Sequence, residues 1–342
     1  MENLNGDAMR TLILSRNSLS VSLEDEHLSI RDHANESTGV TRVPLTEVER
    51  VVVCGQPSIT FPVMVKLLDK GIPCGFLTRG GRWRGVMDGD PGFHAGRRKR
   101  QYESMADEDF RLRLASRVIL AKLKNSRRTL QRLAANRGID LSESSDFLAL
   151  ERCISAVPFL RTIDAVRGLE GVAAAGYFRL LSRFFPKDMP FVCRTRRPPR
   201  DAANALLSFL YTLLTNEVVA AVRSHGLDVA AGYFHRECDR SPALALDLME
   251  PFRSVLADRV ALDLLNHGRL DPVLDFEKLE TGGVHLTDRG RPVVFRAFDK
   301  ALARKSETEH GALTMRQLID RDVCSFIRML ENAEQPNFYL AA

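Results

Sequence analysis

Little in this sequence would staple it together or anchor it. Its six cysteines, at 54, 74, 153, 193, 238 and 324, include no CxxC pair. That spacing excludes the common zinc and dithiol redox motifs and predicts reduced thiols. The chain opens without a signal-peptide pattern, so a cytoplasmic location is expected. Long uninterrupted apolar runs are missing too. The most apolar stretch, residues 202–221, is broken by Asn204, Ser208, Thr212, Asn216 and Glu217, which predicts a core helix and no membrane partner. Neither sign of charge dominates. With 49 Lys and Arg against 44 Asp and Glu the formal net charge is +5, a balance that permits a nucleic-acid partner without requiring one.

What is present divides the chain in two. A length of 342 residues allows a sizeable core and two domains. RTLILS, LSVSLE, HLSIRD and RVVVCG read as short strands separated by turn-rich SRN, EDE and DHANESTG. PSITFPVMVKLLDKG reads as a short helix with Ser58 as its cap, and IPCGFLT as a further strand. The glycine-rich GGRWRGVMDGDPGFHAG, which carries the one Trp, reads as a strand remnant leading into a linker. From about residue 98 the periodicity is helical. The expected fold is α+β: a β-rich domain over 1–90, a linker over 91–97 and a larger all-α domain over 98–342. Past Glu331 the C-terminal segment turns polar and is expected to fray.

Two basic clusters stand out. Arg113, Arg117, Lys124, Arg128 and Arg132 recur at four- or seven-residue steps, which draws one basic helix face. Such a face is either solvated or tracks phosphates. Arg194, Arg196, Arg197 and Arg200 crowd the loop FVCRTRRPPRD, whose prolines favour an extended path. Arginines there suit forked contacts to phosphate oxygens. Directly after that loop, Asn204, Ser208, Thr212 and Asn216 recur every four residues, a polar stripe aimed at a site or at a packed neighbour.

Four residues carry the chemistry. Asp247 and Glu250 follow Pro242 in a run of good helix formers, SPALALDLMEPFR, and three-residue spacing on a helix puts their carboxylates on one face. His235 stands at the entrance of the polar loop before Pro242, which can fold it back to the same cleft. Glu170 lies in DAVRGLEGVAAAGYFRLLSRFF, a helix expected to be mostly buried, where flanking Gly168 and Gly171 imply a close approach. Taken singly, each reads as an exposed acid or a satisfied interior histidine. Taken together, acids and an imidazole converging on apolar helices would bury uncompensated charge unless a cation binds. The group therefore reads as a divalent-metal site.

The strings VRGLEG, AAAGYF, RTRRPPRDAANALLSFLYTLLTNE, GLDVAAGYFH and SPALALDLMEPFR, in this order over residues 166–260, resemble the CRISPR-associated spacer-acquisition integrase/endonuclease family of prokaryotic adaptive immunity. The resemblance implies a metal-dependent nuclease and integrase that joins the 3′-hydroxyl ends of short captured duplex DNA to the CRISPR repeat. It implies Glu170, His235 and Asp247 as catalytic metal ligands. Where relatives often have Asp three residues later, this chain has Glu250, so a direct, a water-mediated and a supporting role all stay open. Oxygen ligands with one imidazole suit Mg²⁺ or Mn²⁺. The family also implies double-stranded DNA as substrate, pairing of the β-domains into a homodimer, and a small ferredoxin-like adaptation partner whose dimer bridges two integrase dimers. It places the 194–200 loop near DNA. Two other readings remain: a recombinase with Tyr177, Tyr211 or Tyr233 as nucleophile, and a DNA-binding scaffold whose acids are structural.

Overall fold

The structure, a computed structural model, describes residues 10–34, 39–78, 83–89, 94–235, 241–280, 282–308, 311–332 and 334–341. Its first part is built on two four-stranded sheets. β1 (Arg10–Leu14), β5 (Val48–Cys54), β7 (Cys74–Leu77) and β8 (Trp83–Met87) form one sheet in the order β1-β5-β7-β8. The first two pairs are parallel and the last is antiparallel. β2 (Leu19–Glu24) and β3 (His27–Asp32) pair with β4 (Val40–Pro44) and β6 (Ser58–Ile59) in the order β4-β3-β2-β6. Val21, Leu28, Ile30, Val51 and Val53 alternate inward from both sheets and meet Val63 and Leu67 of α1 (Phe61–Asp69) in one small core. β4 was not legible: VTRVP is short and follows a turn-rich segment. Ser58 belongs to β6, and Thr60 holds the N-cap position of α1, with Pro62 in the first turn taking over the start signal.

The expected linker, 91–97, falls partly on residues 91–93, outside the described residues. α2 already begins at Ala95 and runs to Met105. Beyond it the fold is helical, as expected, with two added antiparallel ribbons, β9–β10 (Phe276–Lys278 with Val284–Leu286) and β11–β12 (Lys305–Thr308 with Gly311–Thr314). α3 (Glu108–Asn136) is started by Asp107, whose carboxylate accepts from the Phe110 amide. It packs on α4 (Ser145–Ala156) and on α5 (Ile163–Leu181). α6 (Ala202–Ser224) is long and apolar enough to cross a membrane, but two thirds of that window lies buried inside this fold.

The sheets and helices share a boundary. Cys54 and Leu77, from β5 and β7, are part of the helical core. Beside them Arg50 pairs with Glu217 of α6. Arg316 on α10 (Met315–Asn332) reaches Glu217 Oε2 at 3.3 Å and Asp299 Oδ1 at 3.3 Å. Thr11 donates to Asp299 at 3.0 Å. Because these groups lie in partly desolvated positions, losing one partner costs more than an exposed pair would.

The tail that reads as polar docks. Phe338 and Tyr339 are buried, and Tyr339 stacks on Phe252 with ring centroids 5.7 Å apart. The Tyr339 amide donates to Asp322, and its carbonyl accepts from Asn125 Nδ2 at 2.9 Å. Three apolar residues, Phe338, Tyr339 and Leu340, sit behind a polar stretch too short to show periodicity.

α2 is fixed to the end of α6 by backbone contacts. Arg97 donates to the His225 carbonyl at 2.7 Å and Arg98 to the Gly226 carbonyl at 3.0 Å, so two cations serve the negative end of the helix dipole. Gly226 has φ +70°, and a Cβ there would come within 2.0 Å of His94 Cδ2. Gly226→Ala is therefore expected to lower unfolding stability by about 2 kcal/mol, from left-handed strain plus eviction of the His94 ring. Urea denaturation checks this, with Gly168→Ala, which meets open space, as the near-neutral control.

Candidate active site

The chain turns sharply through the acidic segment. α7 (Ala243–Leu248) ends after six residues, a 3₁₀ turn covers Glu250–Phe252, a π-helical stretch covers Arg253–Asp258, and α8 (Arg259–Asn266) follows. Pro251 has no amide hydrogen to continue an α-helix, and π-helical insertions often mark functional segments. Asp247 and Glu250 therefore do not share one face.

Asp247 points back at the chain. Only 1% exposed, it accepts from the amides of Tyr233 at 2.7 Å, Phe234 at 3.0 Å and His235 at 2.9 Å, and from His235 Nδ1 at 2.7 Å. Both oxygens are committed to folding the 233–235 turn. Against the expectation of a metal ligand, Asp247 lies behind His235 rather than in the cleft. A carboxylate accepts only, so Nδ1 carries a proton and Nε2 is the ring nitrogen turned towards Glu250. Gly232 makes the turn possible: a Cβ there would lie 2.5 Å from Ala243 Cβ. Arg167 of α5 clamps the other side, donating from Nη2 to the Phe234 carbonyl at 2.6 Å.

Glu250 takes the place expected of Asp247. It is 3% exposed, with Oε1 3.8 Å from His235 Nε2 and 3.0 Å from Arg253 Nε, and Oε2 2.8 Å from Lys122 Nζ. Lys122 also pairs with Glu170 Oε1, which brings α5 to the same point. Burial opposes the charged form of Glu250, but Arg253, Lys122 and His235 outweigh it and hold the carboxyl down to about 2. The carboxylate is ionised at any working pH.

A cation thus already sits between the two acids. The Lys122 ammonium is a stand-in for an ion at this point, flanked by carboxylate oxygens of Glu170 and Glu250, with His235 Nε2 on the other oxygen of Glu250; two carboxylates and an imidazole are a donor set that fits Mg²⁺ or Mn²⁺. Asn125, one turn along α3, donates to the Pro251 carbonyl at 2.8 Å and so fixes the turn that aims Glu250.

The remaining expectations divide. α5 is open rather than mostly buried along its first half: Gly168, Gly171 and Val172 are exposed, and nothing lies within 4 Å of a Cβ at either glycine. The glycines thus leave open space beside Glu170 instead of a close contact. Arg196 lines the cleft, Arg197 and Arg200 are exposed, and the Arg197–Pro198 peptide is cis. Arg194 turns inward. It donates to Asn204 Oδ1 at 2.8 Å and Ser208 Oγ at 2.9 Å, so the upper half of the polar stripe holds this loop. Arg113, Arg117 and Arg128 are exposed and Lys124 is half-buried. At about 100° per residue their stripe lies across α3 from Lys122, away from the cleft.

Tyr177 and Tyr211 both donate to Asp258, at 2.7 and 2.6 Å, and burial pushes both phenols well above their ordinary range. Tyr233 is fully buried, donating to the Gln101 carbonyl at 3.0 Å. None presents an activated oxygen. Outside the cleft, His225, Asp320 and Cys324 converge, but the positive charges of Arg97 and Arg328 reach the thiol and oppose a cation there.

Lys122, Arg167 and Arg253 escape a reading by residue type. The available signal for Lys122 was its spacing after Val118 and Ile119, a lysine on the apolar side of a helix. If Asp247 is a fold-organising acid and Glu170 a cleft acid, Asp247→Ala should cost about 3 kcal/mol in urea unfolding, because three amides lose their acceptor. Glu170→Ala should cost under about 1 kcal/mol. Equal losses would contradict the assignment.

A family model described as CRISPR associated protein Cas1 matches residues 12–300. The CRISPR-associated endonuclease Cas1 2 of Rhodospirillum rubrum is 38% identical over 284 residues, 80% of each chain. A casposase bound to integration product shares the fold with a TM-score of 0.86 at 22% identity, covering 97% of this chain and 93% of that one. A Cas6-RT-Cas1–Cas2 complex matches at a TM-score of 0.80 and 24% identity, covering 99% of this chain and 37% of that one.

Proposed function

The chain belongs to the CRISPR associated protein Cas1 family, and from that premise and the cleft we propose a metal-dependent DNA endonuclease and integrase that adds captured DNA to the CRISPR repeat. The observation that carries this reading is the Lys122 ammonium bracketed by Glu170 and Glu250 beside His235. Glu170, His235 and Glu250 would hold Mg²⁺ or Mn²⁺, which offsets charge on the attacked phosphate and favours ionisation of the attacking hydroxyl.

The protein's own groups prepare the rest. Asp247 fixes the His235 tautomer so that Nε2 is the ligand atom, a support whose loss typically costs ten- to a hundredfold in this kind of site. Arg253 keeps Glu250 charged, and the Tyr211 ring under its guanidinium at 4.6 Å keeps it in place. Arg196 faces the cleft, where it can fork onto a phosphate; Arg197 and Arg200 extend that surface. Contacts of this kind position DNA without reading its bases. In the joining step a bond forms between the incoming 3′-oxygen and a repeat phosphorus while the bond from that phosphorus to its own 3′-oxygen breaks. The attacking hydroxyl's proton ends on the leaving oxygen. Water in place of the hydroxyl gives strand cleavage by the same site.

The casposase bound to integration product and the complex with Cas2 suggest how such a chain works in company. We assign this chain a duplex DNA substrate, a paired β-domain homodimer and a small ferredoxin-like partner.

The test is a joining assay with a 3′-hydroxyl duplex, a repeat-containing plasmid, the small partner and Mg²⁺ or Mn²⁺. Joined product should disappear in EDTA and fall at least about a hundredfold in Glu170→Ala, His235→Ala and Glu250→Ala, and about ten- to a hundredfold in Asp247→Asn. Joining that survives EDTA, or a covalent protein–DNA adduct, would establish a tyrosine nucleophile instead. Undiminished joining in His235→Ala would leave the acids purely structural.

A further inference from the structure

Two cations neutralise Glu250, and they differ in how firmly they are held. Arg253 is 17% exposed, about as much as Lys122, but it is stacked on Tyr211. Its planar guanidinium is fixed by that stacking as well as by charge. Lys122 is 15% exposed, its side chain ends in a compact ammonium on four methylenes, and its two described partners are the acids Glu170 and Glu250. Such a side chain can swing away without repacking the core.

We propose that Lys122 is an exchangeable counter-cation: the ammonium and a divalent ion hold the same carboxylate oxygens in turn, so that ion binding releases Lys122 into the cleft as a phosphate contact. The inference rests on the ion reading above and concerns what the chain does when the ion arrives.

The charges make the exchange consequential. Glu170 and Glu250 are matched by Lys122 and Arg253, so the centre of the cleft is neutral and draws phosphate weakly. An ion that takes over the carboxylates leaves that neutral set with two added positive charges and one ammonium no longer engaged. Electrostatic attraction for a DNA backbone at the centre of the cleft then rises when the ion is bound. The released side chain has room: Gly168 and Gly171 leave the flank of α5 beside Glu170 open, and Arg196 stands on the lining of the same cleft as a second phosphate contact. The Glu250–Arg253 pair remains as the fixed half of the site.

The experiment uses the full chain with Mg²⁺ or Mn²⁺ and no DNA. Lysine reactivity is measured by reductive methylation and mass spectrometry with EDTA and at saturating Mg²⁺, with half-buried Lys124 as the internal control. Mn²⁺ affinity is measured by calorimetry on the wild type, Lys122→Met and His235→Gln. Labelling of Lys122 is expected to rise about threefold or more with Mg²⁺ while Lys124 is unchanged, because release frees a desolvated ammonium. Lys122→Met is expected to bind Mn²⁺ about tenfold more tightly, with no competing cation to displace. Saturable ion binding that His235→Gln weakens, with Lys122 labelling unchanged or with unchanged affinity in Lys122→Met, overturns the exchange and leaves the ion site standing. Absence of saturable binding to the wild type overturns the ion site and the exchange together.

Discussion

An ionised carboxylate in a buried position is the constraint around which this molecule is arranged. Glu250 is 3% exposed yet held in its charged form, which an apolar interior permits only when cations compensate it closely. Two cations supply that compensation, and two further groups shape the site around them. α3 brings Lys122, the π-helical stretch brings Arg253, the 233–235 turn brings His235, and Asn125 fixes the Pro251 turn from which Glu250 projects. Glu170 then joins through Lys122 rather than by direct contact with Glu250.

The second acid does structural work that makes the first one useful. Asp247 gathers three consecutive amides and the His235 ring. The imidazole is thus placed by the same carboxylate that holds the backbone beside it. Behind this, the docked tail holds the far side of Asn125, with the Ala341 amide donating to Asn125 Oδ1 at 2.8 Å. A segment more than two hundred residues away thus supports the residue that aims Glu250.

Much of the plan was legible in the sequence. Alternating strands before residue 90 and helical periods after it give the α+β order. Glu170, His235 and Glu250 line one cleft, whereas Asp247, the acid expected beside them as a ligand, is turned onto the 233–235 backbone. The roles within the pair Asp247 and Glu250 were not legible. Equal spacing on a helix implies one face only if the helix continues, and here Pro251 and the 3₁₀ turn redirect it. Lys122 was hidden for a related reason: it sits among many basic residues of α3, and only the helix's orientation shows that Arg113, Arg117 and Arg128 look away while Lys122 looks in. Gly168 and Gly171 suggested contact where there is open space, since a glycine's lack of a side chain does not say whether a neighbour or solvent fills the gap. The tail escaped because three apolar residues are too few to show a period.

The central claim is that a divalent ion binds through the His235 nitrogen between Glu170 and Glu250, with Asp247 outside its coordination. Pulsed electron paramagnetic resonance of bound Mn²⁺ addresses this directly, since a coordinated imidazole imposes a ¹⁴N coupling on the metal. Mn²⁺ held by His235 gives a ¹⁴N modulation in the wild type that persists in Asp247→Asn and vanishes in His235→Gln. A bound Mn²⁺ with no nitrogen coupling, or a coupling that survives His235→Gln, would contradict it.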